Sequence, residues 1–192
     1  MRWISFGGLA ASALVALAVA GCQSTPGATL QAASSFDPAE AAYINKQGAT
    51  KIEGHAFWRD DKGGTINAAG EIIRLVPATA YARARFAALY RGGRSIPASQ
   101  IEQGPTDAQY AAFTRTTRAE SNGRFEFDNV APGEYFVAAQ VRYKDKDSFV
   151  HLQSGAFHQF MRLGQDGGAM FEIVTVTGKE EKAIKLVVTN DR

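Results

Sequence analysis

The sequence predicts an all-β protein, a single Greek-key β-sandwich of about seven strands with short helical insertions and an N-terminal helix. Two segments, Arg124–Val130 and Glu134–Tyr143, alternate apolar and polar side chains with the period of two that a half-buried strand requires. The turn-forming pairs Asn122-Gly123 and Pro132-Gly133 precede them. The 192 residues include 19 glycines and 6 prolines, which is typical of a turn-rich β protein.

The N-terminus combines a basic start with an apolar run and a cysteine. Met1-Arg2 is followed by the apolar segment Trp3–Ala20, and Val-Ala-Gly stands directly before Cys22. This ending resembles the lipobox of bacterial lipoproteins. The resemblance implies that residues 1–21 are a cleaved signal peptide and that Cys22 carries lipid on its sulfur and on its new amino group. The alternative is an ordinary secretory signal followed by a chance cysteine.

Lipidation of Cys22 would determine where the protein resides. More than one acyl chain makes a membrane anchor stable. Gln23 follows the cysteine, where an aspartate would favour retention in the inner membrane of many Gram-negative bacteria. We therefore expect a protein that is lipid-anchored in the outer membrane, on its periplasmic or surface face. Because Cys22 is the single cysteine of the chain, we expect no disulfide in the mature protein.

Residues 22–49 are predicted to hold the lipidated cysteine, a tether and a short helix. Gln23–Ser35 is small and polar without periodicity, as in a flexible linker. Asp37-Pro38-Ala39-Glu40 is a helix start, with Asp as N-cap, Pro at the first position and Glu at the third. The helix is expected to end near Gly48 and either to act as a spacer or to lie on the sandwich.

Residues 50–192 are predicted to form the sandwich domain, which opens with two strands. In Lys51–Arg59, every second residue from Ile52 to Trp58 falls on one face. Asp60–Gly64 is a turn, and Thr65–Ala68 continues as a short strand. The second main strand, Glu71–Val76, is expected to end at Pro77, which cannot donate to a ladder.

The middle of the domain is predicted to be partly helical. Thr79 caps a helix over Tyr81–Tyr90 that Gly92-Gly93 ends, and Arg94–Gly104 is expected to be a loop. Thr106-Asp107-Ala108-Gln109 opens a short helical piece through Phe113. Arg115–Glu120 is then expected to pair with Arg124–Val130 as a hairpin with a type I′ turn at Asn122-Gly123.

The last third is predicted to add three strands. Lys144–Asp147 is a charged turn, Ala156–Leu163 a strand and Asp166–Gly168 a turn. Two alternating segments, Met170–Thr177 and Ala183–Thr189, are expected to form a hairpin through Gly178–Glu181.

One motif resembles a known family. The pattern G-R-F-x-F-x-x-V-x-P-G-x-Y, which runs from Gly123 to Tyr135, is similar to the carboxypeptidase regulatory-like domain. The stretch from Gly54 to Tyr81 resembles the opening strands of its bacterial members. The resemblance covers about Gly54 to Tyr143 and implies a transthyretin-like β-sandwich. In carboxypeptidases this domain accompanies a separate metallopeptidase domain, and the present sequence shows no such catalytic domain.

The sequence carries no recognisable catalytic or metal-binding motif. The three histidines, His55, His151 and His158, lack the spacing of a catalytic zinc site. Asp60-Asp61 and Asp145/Asp147 lack the alternating oxygen ligands of a calcium loop, and no G-x-S-x-G motif is present. We therefore expect no enzymatic activity, no cofactor and no metal.

A covalent cross-link is a further hypothesis. Collagen-adhesin B-type domains have a related sandwich and join a Lys of the first strand to an Asn of the last. Lys51 and Asn190 stand at comparable ends of this chain. Both residue types are equally natural at strand ends.

Arginines are concentrated in one region. Between Arg74 and Arg118 the chain has seven arginines, no lysine and two acidic residues. Arginine is the better bidentate partner for carboxylate or phosphate. The pattern favours a solvated helix face whose arginines cover apolar surface. The alternative is contact with an anionic partner, such as lipid headgroups, cell-wall carboxylates or an acidic protein face, through Arg83, Arg85, Arg91 and Arg94.

These observations predict an outer-membrane-anchored lipoprotein whose β-sandwich is a non-catalytic structural or interaction module of the cell envelope. The expected partners are the membrane, through Cys22, and an envelope protein or the cell wall. The formal net charge of +2 is too small to indicate a nucleic-acid partner. The alternatives are a component of an envelope secretion machine, similar to type VI outer-membrane lipoproteins, and a glycan- or cell-wall-binding module.

Overall fold

The computed structural model describes residues 35–101, 107–143 and 166–190. It shows the expected all-β architecture, in which two sheets pack face to face and a few short helices cover one end and one face. The predicted turn Lys144–Asp147 and the predicted strand Ala156–Leu163 lie outside the described residues. The strands are β1 Thr50–Arg59, β2 Thr65–Asn67, β3 Ile72–Pro77, β4 Ser95–Pro97, β5 Arg115–Arg118, β6 Arg124–Val130, β7 Gly133–Tyr143, β8 Asp166–Val176 and β9 Ile184–Val188.

The smaller sheet is built around β1. Strand β9 pairs with β1 in parallel, whereas β6 and β2 pair with it antiparallel. Ala56 donates its N–H to Gly123 and accepts from Ala68, so β6 and β2 follow each other along the same edge of β1. The larger sheet has the order β4-β8-β7-β3-β5 and is antiparallel throughout.

The main core lies between the two sheets. Ile52 and Ala56 of β1 are fully buried, and Trp58 is almost so, which confirms the inward face predicted for this strand. The alternating residues of β6 and β7 also point inward as predicted. These are Phe125, Phe127, Tyr135, Val137, Ala139 and Val141.

The larger sheet is also covered on its outer face. Helix α2, Ala80–Leu89, begins at Thr79, whose hydroxyl accepts from the N–H of Ala82 at 3.1 Å and confirms the predicted cap. The Phe86 ring stacks on Phe136 of β7, with 4.2 Å between the ring centroids, and meets Phe171 of β8 edge-on. Strand β7 is therefore buried on both sides.

The N-terminal helical turn docks on the sandwich. Helix α1, Pro38–Ala41, has Asp37 as its N-cap and continues into a 3₁₀ helix, Ala42–Asn45. The Tyr43 hydroxyl donates to the Glu134 carbonyl at 2.5 Å and accepts from the N–H of Ala78 at 3.1 Å. Of the two expected arrangements for this helix, the structure shows packing on the sandwich.

The predicted hairpin between Arg115–Glu120 and Arg124–Val130 is wrong. Strand β5 pairs with β3 in the larger sheet, and β6 pairs with β1 in the smaller one. A tight turn does join them, since Gly123 donates to the Glu120 carbonyl at 2.9 Å. However, Gly123 has a positive φ and Asn122 does not, so the turn is not type I′. Ala119, which is buried in the core, marks the point where the chain leaves one sheet for the other.

The predicted hairpin between the last two strands is also wrong. Strand β8 belongs to the larger sheet, whereas β9 crosses over and pairs in parallel with β1. Gly178–Glu181 lies between the two strands at the end of the sandwich. It carries the chain from one sheet to the other instead of turning it back alongside β8.

Two further corrections concern β8 and β4. Asp166–Gly168 begins β8 instead of forming a turn, and Ser95–Pro97 is a short strand inside the predicted loop Arg94–Gly104. A Cβ on Gly168 would lie 2.2 Å from the Ile96 carbonyl oxygen and 2.5 Å from the Trp58 ring. Gly168 thus serves the close approach of β4 and Trp58, which a local turn rule does not anticipate.

Tyr135 holds the crossing from β6 to β7. Its side chain is 0% exposed, and its hydroxyl donates to the carbonyl of Ala131 at 2.8 Å. Burial raises the pKa of Tyr135, so the hydroxyl keeps its proton and acts as the donor. This bond fixes the segment that carries the chain from one sheet to the other.

We predict that Tyr135→Phe lowers the free energy of unfolding by about 1–3 kcal/mol, because a buried carbonyl loses its donor. Urea denaturation followed by circular dichroism measures the change. Tyr135→Leu, which also removes ring volume, is expected to cost more, about 3 kcal/mol or above. A Phe variant as stable as the wild type would show that the hydroxyl does not hold this crossing.

Glu180 organises the connection between β8 and β9. Its carboxylate accepts from the Thr177 hydroxyl at 2.7 Å, the Thr177 N–H at 2.6 Å and the Gly178 N–H at 2.9 Å. It also accepts from the Thr50 hydroxyl of β1 at 2.7 Å. These hydrogen bonds, those from Thr177 first, lower the pKa of Glu180 to about 2. The ionised carboxylate thus ties this connection to β1.

We predict that Glu180 stabilises the fold above about pH 4.3, its ordinary pKa, and that this contribution is lost as the pH falls towards 2. Glu180→Gln should therefore lower the urea midpoint at pH 7, and the gap to the wild type should narrow at pH 3. Glu181→Gln, at the exposed neighbouring position, is the matched control. Equal midpoints at pH 7 for the wild type and the Glu180→Gln variant would contradict the assignment.

Candidate functional site

A groove of about 570 Å³ lies on the outer face of the larger sheet. Strands β3, β7 and β8 form its floor. The second half of α2 forms one wall, and Ile101 together with the 3₁₀ helix Tyr110–Phe113 forms the other. This volume is within the range of small-molecule sites in proteins, about 300–1,000 Å³.

The groove exists because large aromatic side chains cover only part of the sheet face beneath α2. Phe136 and Phe171 lie under the helix, whereas the next outward-facing positions on the same side of the two strands are Ala138 and Ala169. The register places Gln140 directly opposite Ala169. Small side chains beside large ones on one sheet face leave a recess with an apolar floor.

The second wall is held by an aromatic cluster. Tyr110 packs against Phe36 and Tyr81, with ring centroids 5.7 Å and 5.2 Å away. Phe36 also contacts Phe113 at 5.4 Å, and the Tyr81 hydroxyl accepts from the N–H of Asp107 at 3.0 Å. The N-terminal segment therefore supports one wall of the groove through Phe36.

Seven polar side chains line the groove from different elements, namely Arg74 of β3, Arg85 of α2, Thr116 of β5, Gln140 of β7, Tyr90, Tyr110 and Thr114. Burial raises the pKa of both tyrosines, and nearby arginine charges oppose this only in part. Their hydroxyls therefore stay protonated at neutral pH. No acidic side chain is found among the described residues that line the groove.

The four arginines predicted to contact an anionic partner do not share one surface. Arg85 lines the groove. Arg83 pairs with Glu134 at 2.7 Å, and its guanidinium lies 5.9 Å from the centre of the Phe136 ring. Arg91 donates to the Gln100 side chain at 3.2 Å. Arg94 forms an ion pair with the buried carboxylate of Glu172. Their role towards an anionic partner stays a prediction.

Sequence reasoning did not select Arg74, Tyr90, Tyr110 or Gln140. Arg74 had a usable signal, because it stands between the inward residues Ile73 and Leu75 and must point outward from its strand. No sequence pattern marks Tyr90 and Tyr110 as groove residues, because only the packing of α2 and the 3₁₀ helix brings them together.

The other predicted residues lie away from the groove. His55 is hydrogen-bonded to Asn67 at 3.0 Å on the smaller sheet, and Asp60 accepts from the N–H groups of Lys62 and Gly64 in its turn. Within residues 35–101, 107–143 and 166–190, no group of three or more His, Cys, Asp or Glu side chains is arranged to hold a metal. The remaining predicted positions, Cys22, Asp145, Asp147, His151 and His158, lie outside the described residues.

The hypothesis of a cross-link between Lys51 and Asn190 is wrong. Lys51 lies at the start of β1, where its ammonium is 2.7 Å from the Glu126 carboxylate. Asn190 lies at the other end of β1 and bonds to both the N–H and the carbonyl of Arg59, at 2.7 and 2.9 Å. The length of the strand separates the two side chains.

In the part of the chain that the structure describes, no helix is both long and apolar enough to cross a membrane.

Comparison with known proteins gives a likeness of fold. No protein family and no curated protein matches the chain. A Pseudomonas aeruginosa protein of known structure, whose carbohydrate binding is itself only proposed, matches with a TM-score of 0.62 and 23% identity over 82% of this chain and 99% of its own. A minor pilin of Streptococcus agalactiae is far less similar, with a TM-score of 0.34 and 12% identity over 75% of this chain and 44% of the pilin. The likeness to the Pseudomonas protein, together with the two packed sheets, shows an all-β, sandwich-like fold.

Proposed function

We propose that this chain is a lipoprotein anchored in the outer membrane through Cys22, and that its β-sandwich is a non-catalytic, carbohydrate-binding module of the cell envelope. The ligand would occupy the groove on the outer face of the larger sheet. The observation that carries this proposal is the convergence of seven polar side chains on one recess with an apolar floor.

The chemistry of the groove suits a saccharide. Sugar hydroxyls are both donors and acceptors, and Gln140 and the tyrosine hydroxyls offer both functions, while Arg74 and Arg85 offer forked donors. Ala138 and Ala169 leave room for the apolar C–H face of a sugar ring. Tyr90 is only 8% exposed and its ring packs on Phe86 and Phe171, so it offers no open stacking face to a sugar.

The rigidity of the site supports the same role. The floor belongs to three paired strands, and the α2 wall is fixed by the stacked rings of Phe86 and Phe136. A preformed recess loses little entropy when it binds a ligand. The Pseudomonas protein of the same fold, a proposed carbohydrate binder, adds support by analogy only.

Binding without hydrolysis fits the residues present. Glycoside hydrolysis uses a pair of carboxylates about 5–10 Å apart. The described residues that line the groove supply arginines, tyrosines, threonines and a glutamine instead. These groups position a ligand, and none of them is an ordinary general base at neutral pH.

The lipobox-like ending before Cys22 supports the anchor, and Gln23 favours the outer membrane. The helix after the tether docks on the sandwich through Tyr43 and through Phe36, which also braces the Tyr110 wall. A tether from Cys22 would therefore join the described residues next to Phe36 and the groove wall that it braces.

We predict that Ala111→Trp abolishes saccharide binding. Ala111 is exposed on the 3₁₀ helix at the groove rim, so a large ring there would fill the recess without entering the core. The amount of protein that envelope glycans on a glycan array retain measures the effect. Ala87→Trp, at an exposed position of α2 that does not line the groove, is the matched control. If the Ala111→Trp variant is retained as strongly as the wild type, the groove is not the binding site.

We predict that metabolic labelling with radioactive palmitate marks the wild-type protein and leaves Cys22→Ser unlabelled, because the thiol is the proposed attachment atom. Membrane fractionation should place the wild type with the outer membrane and release the variant. Gln23→Asp is the second variant, expected to stay labelled but to move towards the inner membrane. A labelled Cys22→Ser protein would refute the anchor.

A further inference from the structure

We propose that the groove is selective for acidic saccharides, and that Arg74 and Arg85 bind a carboxylate of the ligand. This inference rests on the proposed carbohydrate binding and specifies which class of sugar the same site takes.

The first argument is the placement of the two arginines. Arg74 projects from the floor strand β3, and Arg85 from the wall helix α2, so two independent elements direct positive charge into one recess. Both charges act on the Tyr110 phenol, which places them around the same part of the groove. Two cations that face a shared recess favour an anion between them.

The second argument is the contrast with neighbouring arginines. Arg83 and Arg94 are each matched by a carboxylate of the protein, Glu134 and Glu172. In the described part of the chain, no ion pair joins Arg74 to an acidic residue, and no described lining residue of the groove is acidic. A carboxylate of the ligand would give Arg74 an ion pair like those that Arg83 and Arg94 form with the protein.

The third argument favours a carboxylate over a phosphate. Protein phosphate sites commonly use the N–H groups at the start of a helix. The groove meets α2 along Arg85, Phe86, Leu89 and Tyr90, whereas the helix begins at Ala80. The site thus offers side-chain forks, which suit a carboxylate and a phosphate alike, without the helix N-terminus that would favour a phosphate.

The test uses an oligogalacturonate and its methyl ester, two probes with the same sugar and linkage that differ in charge. Isothermal titration calorimetry should show that the wild type binds the acid at least about 10-fold more tightly than the ester. Arg74→Gln and Arg85→Gln should each weaken binding of the acid by about 10- to 100-fold, because a charge-assisted pair is lost. They should weaken binding of the ester much less, because the ester loses only neutral hydrogen bonds, so the preference for the acid should fall. Sodium chloride should weaken binding of the acid selectively.

Two sets of controls accompany the titrations. Arg124→Gln removes the same charge from an exposed position on the smaller sheet and should leave binding unchanged. Arg74→Lys and Arg85→Lys keep the charge but lose the forked geometry, so they should lie between the wild type and the Gln variants. Urea midpoints equal to that of the wild type confirm that the variants fold.

The outcomes separate this inference from the proposed function. Equal binding of acid and ester would overturn acid selectivity and leave carbohydrate binding in place. If no glycan on an array of acidic and neutral sugars retains the protein, both the acid selectivity and the proposed carbohydrate binding would be overturned. Preferential retention of sulfated or phosphorylated sugars over uronates would overturn the carboxylate assignment, as would Arg74 and Arg85 variants that keep the wild-type preference.

Discussion

The burial of β7 on both of its faces is the constraint on which the rest of the structure depends. Its odd-numbered residues from Tyr135 to Val141 fill the core between the sheets, and Phe136 anchors α2 on the opposite side. The strand also pairs along its whole length with β8. Without the ring of Phe136, α2 would lose the stacked contact that holds Phe86 against the outer face of this sheet. The core and the groove thus share a single central strand.

The chain reaches this arrangement by changing sheets at short connections. It crosses between β2 and β3, between β5 and β6, between β6 and β7, and between β8 and β9. Specific contacts hold the last three of these crossings: buried Ala119 between β5 and β6, the Tyr135 hydroxyl bond between β6 and β7, and the Glu180 carboxylate between β8 and β9. Backbone groups at such crossings leave the strand ladders and need other partners. Ala119 bonds to the backbone of Gly70 and Glu71, whereas the side chains of Tyr135 and Glu180 serve the two later crossings.

The groove is a consequence of how this scaffold is packed. Large rings fix α2 over one part of the sheet, and alanines beside them leave an open recess. The polar groups around it come from three strands, a helix and a 3₁₀ helix, each held by its own packing. Arginines close in sequence take different roles, because Arg83 and Arg94 secure α2 and the following loop to the sheet, while Arg85 faces the recess. Rigid scaffolding and the proposed ligand recognition are thus divided among neighbouring residues.

The sequence alone determined the class of fold, the strands with strict alternation and the helix caps at Asp37 and Thr79, because these depend on nearest neighbours and on a period of two. It also suggested the anchor at Cys22, which stays a prediction. Only the tertiary structure decided which sheet each strand joins, since Asn122-Gly123 and Gly178–Glu181 make tight connections whether the chain folds back or crosses over. The same holds for the groove: Arg74, Arg85, Tyr90, Tyr110 and Gln140 are distant in sequence, and the packing of α2 on Phe136 and Phe171 brings them together.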